Sequence, residues 1–411
     1  MNKVMSRAVA SAAVSCVLGF GVVLLPATPA QAFVCQQEPG VAQVSKATPY
    51  EDQMFDPERL APFATGAGIR VAVLDSGVDD THPQLRGRVE RGKDFLHGHP
   101  DGRQDCVGHG TGVASIIVAG TAADAGLRGL APGAIIVPVR VSEQTDTANG
   151  GTTGQPSGPG TFAAAIDWAA SPSGGNADVI NMSLVMTDDS DKVRAAVARA
   201  VAGGVVVVAA VGNAGSEDKG NPKPYPASYP DVIGVGAIDV NGVRGDFSQH
   251  GDYVDIMAPG VAVTFAARRG GHTSSDGTSF ATPFVAATAA LVRQRFPSLN
   301  PAQVARRILA TADPAPGGSR SDGYGVGVLN PYRALTETLG PETPAPAAPR
   351  VMITDDPAAL ALQARRSDAR DMSLLLAAGG AGVVVLVVVA AAAFRRGRRR
   401  GWQAADPAPR P

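Results

Sequence analysis

Five short runs of almost unbroken apolar residues, at 69–74, 134–141, 179–184, 204–210 and 232–237, constrain this chain more than anything else in it. A strand with one wet face alternates polar and apolar residues, whereas a strand without that alternation is buried on both faces. Between and after these runs lie segments with helical spacing, at 112–119, 162–170, 191–202 and 282–295. Strands alternating with helices predict an α/β domain whose central, mostly parallel sheet is covered on both sides, a three-layer arrangement. Functional groups in such sheets collect beyond the carboxyl ends of the strands. Asp75 and Asn213 stand at two such ends.

Two further apolar segments have different fates. Residues 1–32 open with Lys3 and Arg7, run apolar to Leu25 and end in Ala30-Gln31-Ala32, the pattern of a secretory signal peptide with a small-residue cleavage site. Cys16, inside that run, lacks the surroundings of a lipidation site. Residues 373–394 carry no charge over 22 positions, enough for a helix rising ~1.5 Å per residue to cross a hydrocarbon core of ~30 Å. Arg395, Arg396, Arg398, Arg399 and Arg400 follow at once, which predicts a transmembrane helix contacting membrane lipid, with residues 395–411 as a basic cytoplasmic tail. Everything before residue 373 is then extracytoplasmic. Pro341, Pro344, Pro346, Pro349 and Pro357 make 340–372 an extended linker. The globular part is 61–339, preceded by an extension at 33–60.

The net charge of −1 hides a division that supports this topology. Residues 1–32 carry +2 and residues 395–411 carry +5, which leaves −8 on residues 33–394. An acidic ectodomain offers no basic surface, so nucleic acid is excluded as a partner.

Chemistry concentrates in three glycine-flanked segments: Asp75-Ser76-Gly77-Val78, Gly108-His109-Gly110-Thr111-Gly112 and Gly277-Thr278-Ser279-Phe280-Ala281-Thr282-Pro283. A serine hydroxyl is a weak nucleophile unless a histidine takes its proton and a carboxylate holds the imidazole tautomer. Chain order discriminates among the folds that build such a triad. An α/β-hydrolase needs its histidine last, yet the last histidine, His272, precedes Ser279. The GxSxG elbow and the HExxH zinc motif are also absent. Asp75, His109 and Ser279 follow the Asp, His, Ser order of the subtilisin class. The remaining histidines, His82, His97, His99, His250 and His272, show no ligand spacing and are expected on loops or at the surface, and Asp178 and Asp255 are expected to cap or solvate. The Gly- and Thr-rich segment 144–160 is too long for an ordinary connection and is expected to be an exposed loop at the rim of a cleft.

The chain resembles the subtilases. Beyond the three triad segments, Gly129-Leu130-Ala131-Pro132, Asn181-Met182-Ser183-Leu184, Ala210-Val211-Gly212-Asn213, Tyr225-Pro226-Ala227-Ser228-Tyr229-Pro230, Met257-Ala258-Pro259-Gly260 and Tyr324-Gly325-Val326-Gly327 carry the resemblance, which extends over 58–335. It implies a subtilisin-like fold and a serine endopeptidase in which Asp75 orients, His109 is the base, Ser279 attacks, Asn213 donates to the oxyanion, and Ser183, Leu184 and Val185 line the substrate site. No cofactor is required, no metal ligand set is assigned, and structural calcium, common in the family, is not placed. Two positions depart from the family pattern. Phe280 replaces a methionine, a conservative change; Val185 stands where glycine is usual and is expected to narrow the specificity pocket in favour of small residues before the scissile bond.

A full inhibitory propeptide does not fit between residue 33 and Asp75, so 33–60 reads as a retained extension wrapping the domain. Of the three cysteines, Cys35 and Cys106 remain after signal removal, and an oxidising compartment predicts their pairing. Signal peptide, subtilase domain, proline-rich linker and terminal membrane helix together resemble the mycosins, membrane-anchored subtilases of type VII secretion systems. That resemblance implies polypeptide substrates, a partnership with the secretion membrane complex, and an alternative in which the protein is mainly a structural subunit with incidental proteolysis. A nutritional protease is the weaker alternative, because an anchor keeps the enzyme from diffusing to its substrate.

Overall fold

The structure is a computed structural model that describes residues 35, 40–146, 152–153, 155–316, 318–340 and 395. The signal-peptide segment 1–32 and the anchor segment 373–394 lie outside the described residues, as does almost all of 340–372. Among the described residues no helix is long and apolar enough to cross a membrane. The chain divides into two units at residue 340, and the elements below belong to the first.

In chain order the elements are α1 (Tyr50–Phe55), α2 (Pro57–Leu60), β1 (Arg70–Asp75), β2 (Lys93–Asp94), α3 (His109–Val118), β3 (Ile135–Arg140), β4 (Thr145–Asp146), β5 (Thr152–Thr153), α4 (Pro159–Ala170), β6 (Val179–Met182), α5 (Asp191–Ala202), β7 (Val206–Ala210), β8 (Val232–Ile238), β9 (Ile256–Pro259), β10 (Val263–Ala266), β11 (His272–Ser275), α6 (Thr278–Arg295), α7 (Pro301–Ala310), β12 (Asp313–Pro314), β13 (Gly327–Val328) and α8 (Pro331–Thr336). Nine strands form one sheet in the order β12-β13-β9-β8-β7-β6-β1-β3-β2. Every pairing in it is parallel except β12 with β13.

The continuous apolar runs are explained by what lies on each face. In β1, Val71 and Val73 pack with Val113, Ile117 and Phe284 of α3 and α6, while Ala72 and Leu74 pack with Phe162, Ile166 and Val197 of α4 and α5. Side chains alternate sides along a strand, so burying both sides requires apolar residues at every position. Helix α6 runs through the middle of one layer, and Thr278 to Val292 are all buried.

The five expected strands are present with ends moved by at most two residues. Three helices start earlier than their hydrophobic spacing suggests, α3 at His109, α4 at Pro159 and α6 at Thr278. Glycine, threonine and proline at these starts mask the helical pattern, although proline at a first helical position costs nothing. The consequence is functional, because His109 and Ser279 lie inside the first turns of helices and not in loops ahead of them.

The sheet order places β1 between β3 and β6, so the chain leaves β1 toward one edge and later returns to its other side. The crevice beyond the carboxyl end of β1 lies at this reversal, where open α/β sheets hold their ligands.

Candidate active site

Asp75 ends β1 and His109 opens α3, and the two meet through His109 Nδ1 and Asp75 Oδ1 at 2.7 Å. The Ser76 amide donates to the same oxygen at 2.7 Å. Asp75 is buried while His109 stays partly open to the cleft. Gly110 makes this approach possible, since a Cβ there would overlap the Gly77 carbonyl and stand 3.0 Å from Asp75 Cβ. No larger residue allows α3 to come so near the turn after β1.

Helix α3 has Gly108 at its N-cap, which offers no side chain for the free amides of the first turn. Residues from elsewhere supply the acceptors. The Gly110 amide donates to Ser76 Oγ at 2.9 Å, and the Thr111 amide and hydroxyl donate to Asp105 Oδ2 at 2.9 and 2.6 Å. Asp105 Oδ1 accepts from Ser76 Oγ, Val107 N and Gly108 N at 2.9, 3.0 and 2.7 Å. Burial raises the Asp105 pKa, and these hydrogen bonds, that of Thr111 foremost, oppose the rise. One carboxylate thus ties the loop after Asp75 to the helix carrying His109. The sequence reading missed Asp105. Its signal was an acid shortly before a helix start, a position that favours capping.

Ser279 is the second residue of α6. Pro283 lies four residues further on and has no N–H to give to the Ser279 carbonyl. Ser183 Oγ donates to that carbonyl instead, at 2.7 Å, while accepting from Asn181 Nδ2 at 3.0 Å. Ser183 therefore braces the backbone of Ser279 as well as lining the cleft.

Asn213 follows β7. Its Oδ1 accepts from Thr278 N at 2.9 Å and Thr278 Oγ1 at 3.0 Å, and Thr278 Oγ1 accepts from Gly212 N at 3.0 Å. With its oxygen engaged, the amide turns its NH2 toward Ser279. A single point beside Gly277, where a Cβ would stand, lies 2.9 Å from Ser279 Oγ and 3.5 Å from Asn213 Nδ2. Hydroxyl and amide donor converge there, at the amino end of a helix where the dipole favours negative charge.

Phe280 packs its ring 5.2 Å from that of His109 and stacks on Phe265 at 4.3 Å, so the aromatic at the methionine position walls one side of the imidazole. Asp75, His109, Ser183, Leu184, Val185, Asn213 and Ser279 line one cleft of about 360 Å3. Ser142 and Gln144 also line it, which puts the start of segment 144–160 at its rim. Cys35 and Cys106 form a disulfide, closing a separation of 71 residues and ending next to the His109 helix. Among the described residues no group of three or more His, Cys, Asp or Glu could hold a metal ion.

One expectation fails in part: His82 lies in a loop and His272 opens β11, but both are buried and neither is a surface group. Gln84 links them, its amide donating to His82 Nδ1 at 3.2 Å and its Oε1 lying 2.6 Å from His272 Nε2. Asp178 and Asp255 behave as expected, accepting from the amides of Arg70 and Gly234 at 2.9 and 3.0 Å.

Comparison with known proteins shows the family. The profile described as the subtilase family matches residues 66–327. Subtilisin E of Bacillus subtilis (strain 168) is 37% identical over 308 residues, covering 72% of this chain and 75% of its own. Alkaline elastase YaB of Bacillus sp. (strain YaB) is 40% identical over 248 residues, covering 60% of each chain. The crystal structure of MycP1 from Mycobacterium smegmatis superposes with a TM-score of 0.61 at 30% identity, covering 74% of this chain and 92% of that one. MycP3 protease from the type VII (ESX-3) secretion system gives 0.60 at 29% identity, covering 75% and 95%.

The chain belongs to the subtilase family of serine proteases and has its subtilisin-like α/β fold. Its structural neighbours are mycosins, the subtilases of type VII secretion systems.

Proposed function

We propose that this protein is a serine endopeptidase held at the outer face of the cytoplasmic membrane, where it cleaves polypeptides in association with a type VII secretion complex. The convergence of Ser279 Oγ and Asn213 Nδ2 beside the Asp75–His109 pair is the observation that carries the catalytic part. Ser279 Oγ attacks the scissile carbonyl and passes its proton to His109, whose tautomer and developing charge Asp75 supports. Asn213 donates to the oxyanion, a contribution of about 3 kcal/mol for a preorganised donor. His109 protonates the leaving amine, and water then releases the acyl group from Ser279 by the same path. Only the chain's own side chains act, without a cofactor. Val185 at the wall of the cleft favours a small residue before the scissile bond. The uncharged segment 373–394 and the arginines after it support the anchor, and the mycosin neighbours support the secretion context.

Ser279→Ala tests the reading. Peptidase activity of the full-length protein should fall on the order of 10^6-fold, the loss a subtilisin triad shows without its serine. In cells, secretion that stops with Ser279→Ala as it does on deletion makes catalysis the essential role. Secretion that persists while processing disappears favours the structural subunit.

A further inference from the structure

Next to Asn213 the cleft is lined by one side chain that lies outside the triad segments. Gly212 has φ +98°, and a Cβ there would overlap Gln249 Oε1 and stand 3.5 Å from Val185 Cγ2. Gln249 Oε1 therefore lies directly over the Gly212 Cα, with Val185 Cγ2 close to the same point. Both line the cleft with the catalytic residues.

Gln249 is not a mobile polar residue at a rim. It is 2% exposed, and its carboxamide is fixed at both ends. Oε1 accepts from Ala214 N at 3.3 Å, and Nε2 donates to the Pro222 carbonyl. Its own amide donates to Gly212 O at 3.0 Å. A glutamine held in this way at the wall of the cleft fills space that an apolar side chain of the substrate would otherwise take.

The position of the carbonyl under attack decides what that space is for. The carbonyl must sit between Ser279 Oγ and Asn213 Nδ2, and Gly212, the neighbour of Asn213, lines the same cleft with Val185 and Gln249. We propose that Gln249, together with Val185, truncates the pocket for the residue before the scissile bond and limits it to glycine, alanine and serine. This rests on the endopeptidase reading above. It goes further in assigning the limit to a residue outside every motif singled out in the sequence. Apolar pockets discriminate by volume, with tens to a few hundred-fold available from one or two methylenes.

The test uses the full-length protein in detergent with two measurements. A fluorophosphonate probe reports whether Ser279 is activated, and fluorogenic peptides differing only in the residue before the scissile bond report selectivity as kcat/KM. The parent should be labelled and should cleave the alanine peptide at least ~100-fold faster than the phenylalanine peptide. Gln249→Ala should remain labelled and lower that ratio at least ~10-fold by accelerating phenylalanine. Gln249→Met, similar in length, should keep the parental selectivity, which separates volume from the bracing of the 212–222 loop. Val185→Gly should widen the pocket in the same sense and serves if Gln249→Ala does not fold.

A parent that prefers phenylalanine overturns the assignment. So does a labelled Gln249→Ala with selectivity within twofold of the parent, or a Gln249→Met that loses selectivity as far as Gln249→Ala does. A parent that neither reacts with the probe nor cleaves any peptide overturns the endopeptidase reading itself.

Discussion

The sheet and the N-terminal segment are attached to the same domain by different physics. Strands β1, β6 and β7 are held by apolar side chains on both faces, and nearly all of their residues are fully buried. Residues 40–60 do use apolar anchors, Phe55 and Leu60, but their remaining ties are polar, long-range and in part titratable. Ser45 N donates to His272 Nδ1 at 2.9 Å, and His272 N donates to Gln43 O at 2.9 Å. Thr264 N donates to Glu51 Oε1 at 2.8 Å, and Arg128 N to Asp52 Oδ2 at 2.7 Å. The disulfide adds a covalent tie from Cys35 to the loop just before the His109 helix. Apolar burial responds weakly to proton and thiol concentrations, so the sheet should ignore both while the segment answers to each.

The largest effect expected lies in the sheet. Ile180→Ala removes a fully buried side chain of β6 and should cost about 3 to 4 kcal/mol in urea unfolding, equally at pH 5 and pH 8. A loss that changed with pH would couple this position to a titratable group and break the comparison. Opening the disulfide comes next. Replacing Cys35 and Cys106 by serine together should cost about 2 to 4 kcal/mol, as loop closure over this separation allows, and limited proteolysis should then cut within 40–60 before the sheet unfolds. Equal protease resistance with and without the bond would show that the noncovalent ties suffice.

The same contrast explains what could be read from the sequence. The strands were legible because burial on both faces writes itself as consecutive apolar residues. The triad was legible because Asp75, His109 and Ser279 each sit in a short segment whose glycines the geometry demands. Asp105 and Gln249 escaped because their roles are set by partners distant in sequence, Ser76 for one and Ala214 and Pro222 for the other, with no periodicity to betray them. Burial of His82 and His272 was missed for a related reason. A histidine becomes an interior residue only when acceptors and donors such as Gly271 O, Gln84 and Ser45 N arrive from other parts of the chain. The starts of α3 and α6 were placed late because glycine and proline weaken helical spacing at the turns that carry the catalytic groups.

The smallest effect, and the sharpest test of the comparison, is pH. Burial raises Glu51 from 4.5 to about 7 and Asp52 from 3.8 to about 7, with hydrogen bonds from Thr264 and Arg128 opposing. Burial lowers His82 and His272, with Gly271 and Asp79 opposing at His82 and the charge of His82 adding to the lowering at His272. A carboxyl raised on folding contributes stability that is present below its unfolded pKa and lost as pH rises through 7. A histidine lowered on folding contributes stability that is present above its unfolded pKa of 6.5 and lost as pH falls through its folded value. The two sets oppose each other, so proteolysis of 40–60 in the parent between pH 5 and pH 8 follows their difference, and removing either set tilts it. Glu51→Gln removes one carboxyl while keeping the shape of its protonated form. It should leave pH 5 nearly unchanged and stabilise the attachment at pH 8 by about 1 to 2 kcal/mol, tilting the profile toward alkaline resistance. His272→Gln should tilt it toward acid resistance. Profiles of Glu51→Gln and parent that run parallel from pH 5 to pH 8 would mean that the segment, like the sheet, is held without regard to protons.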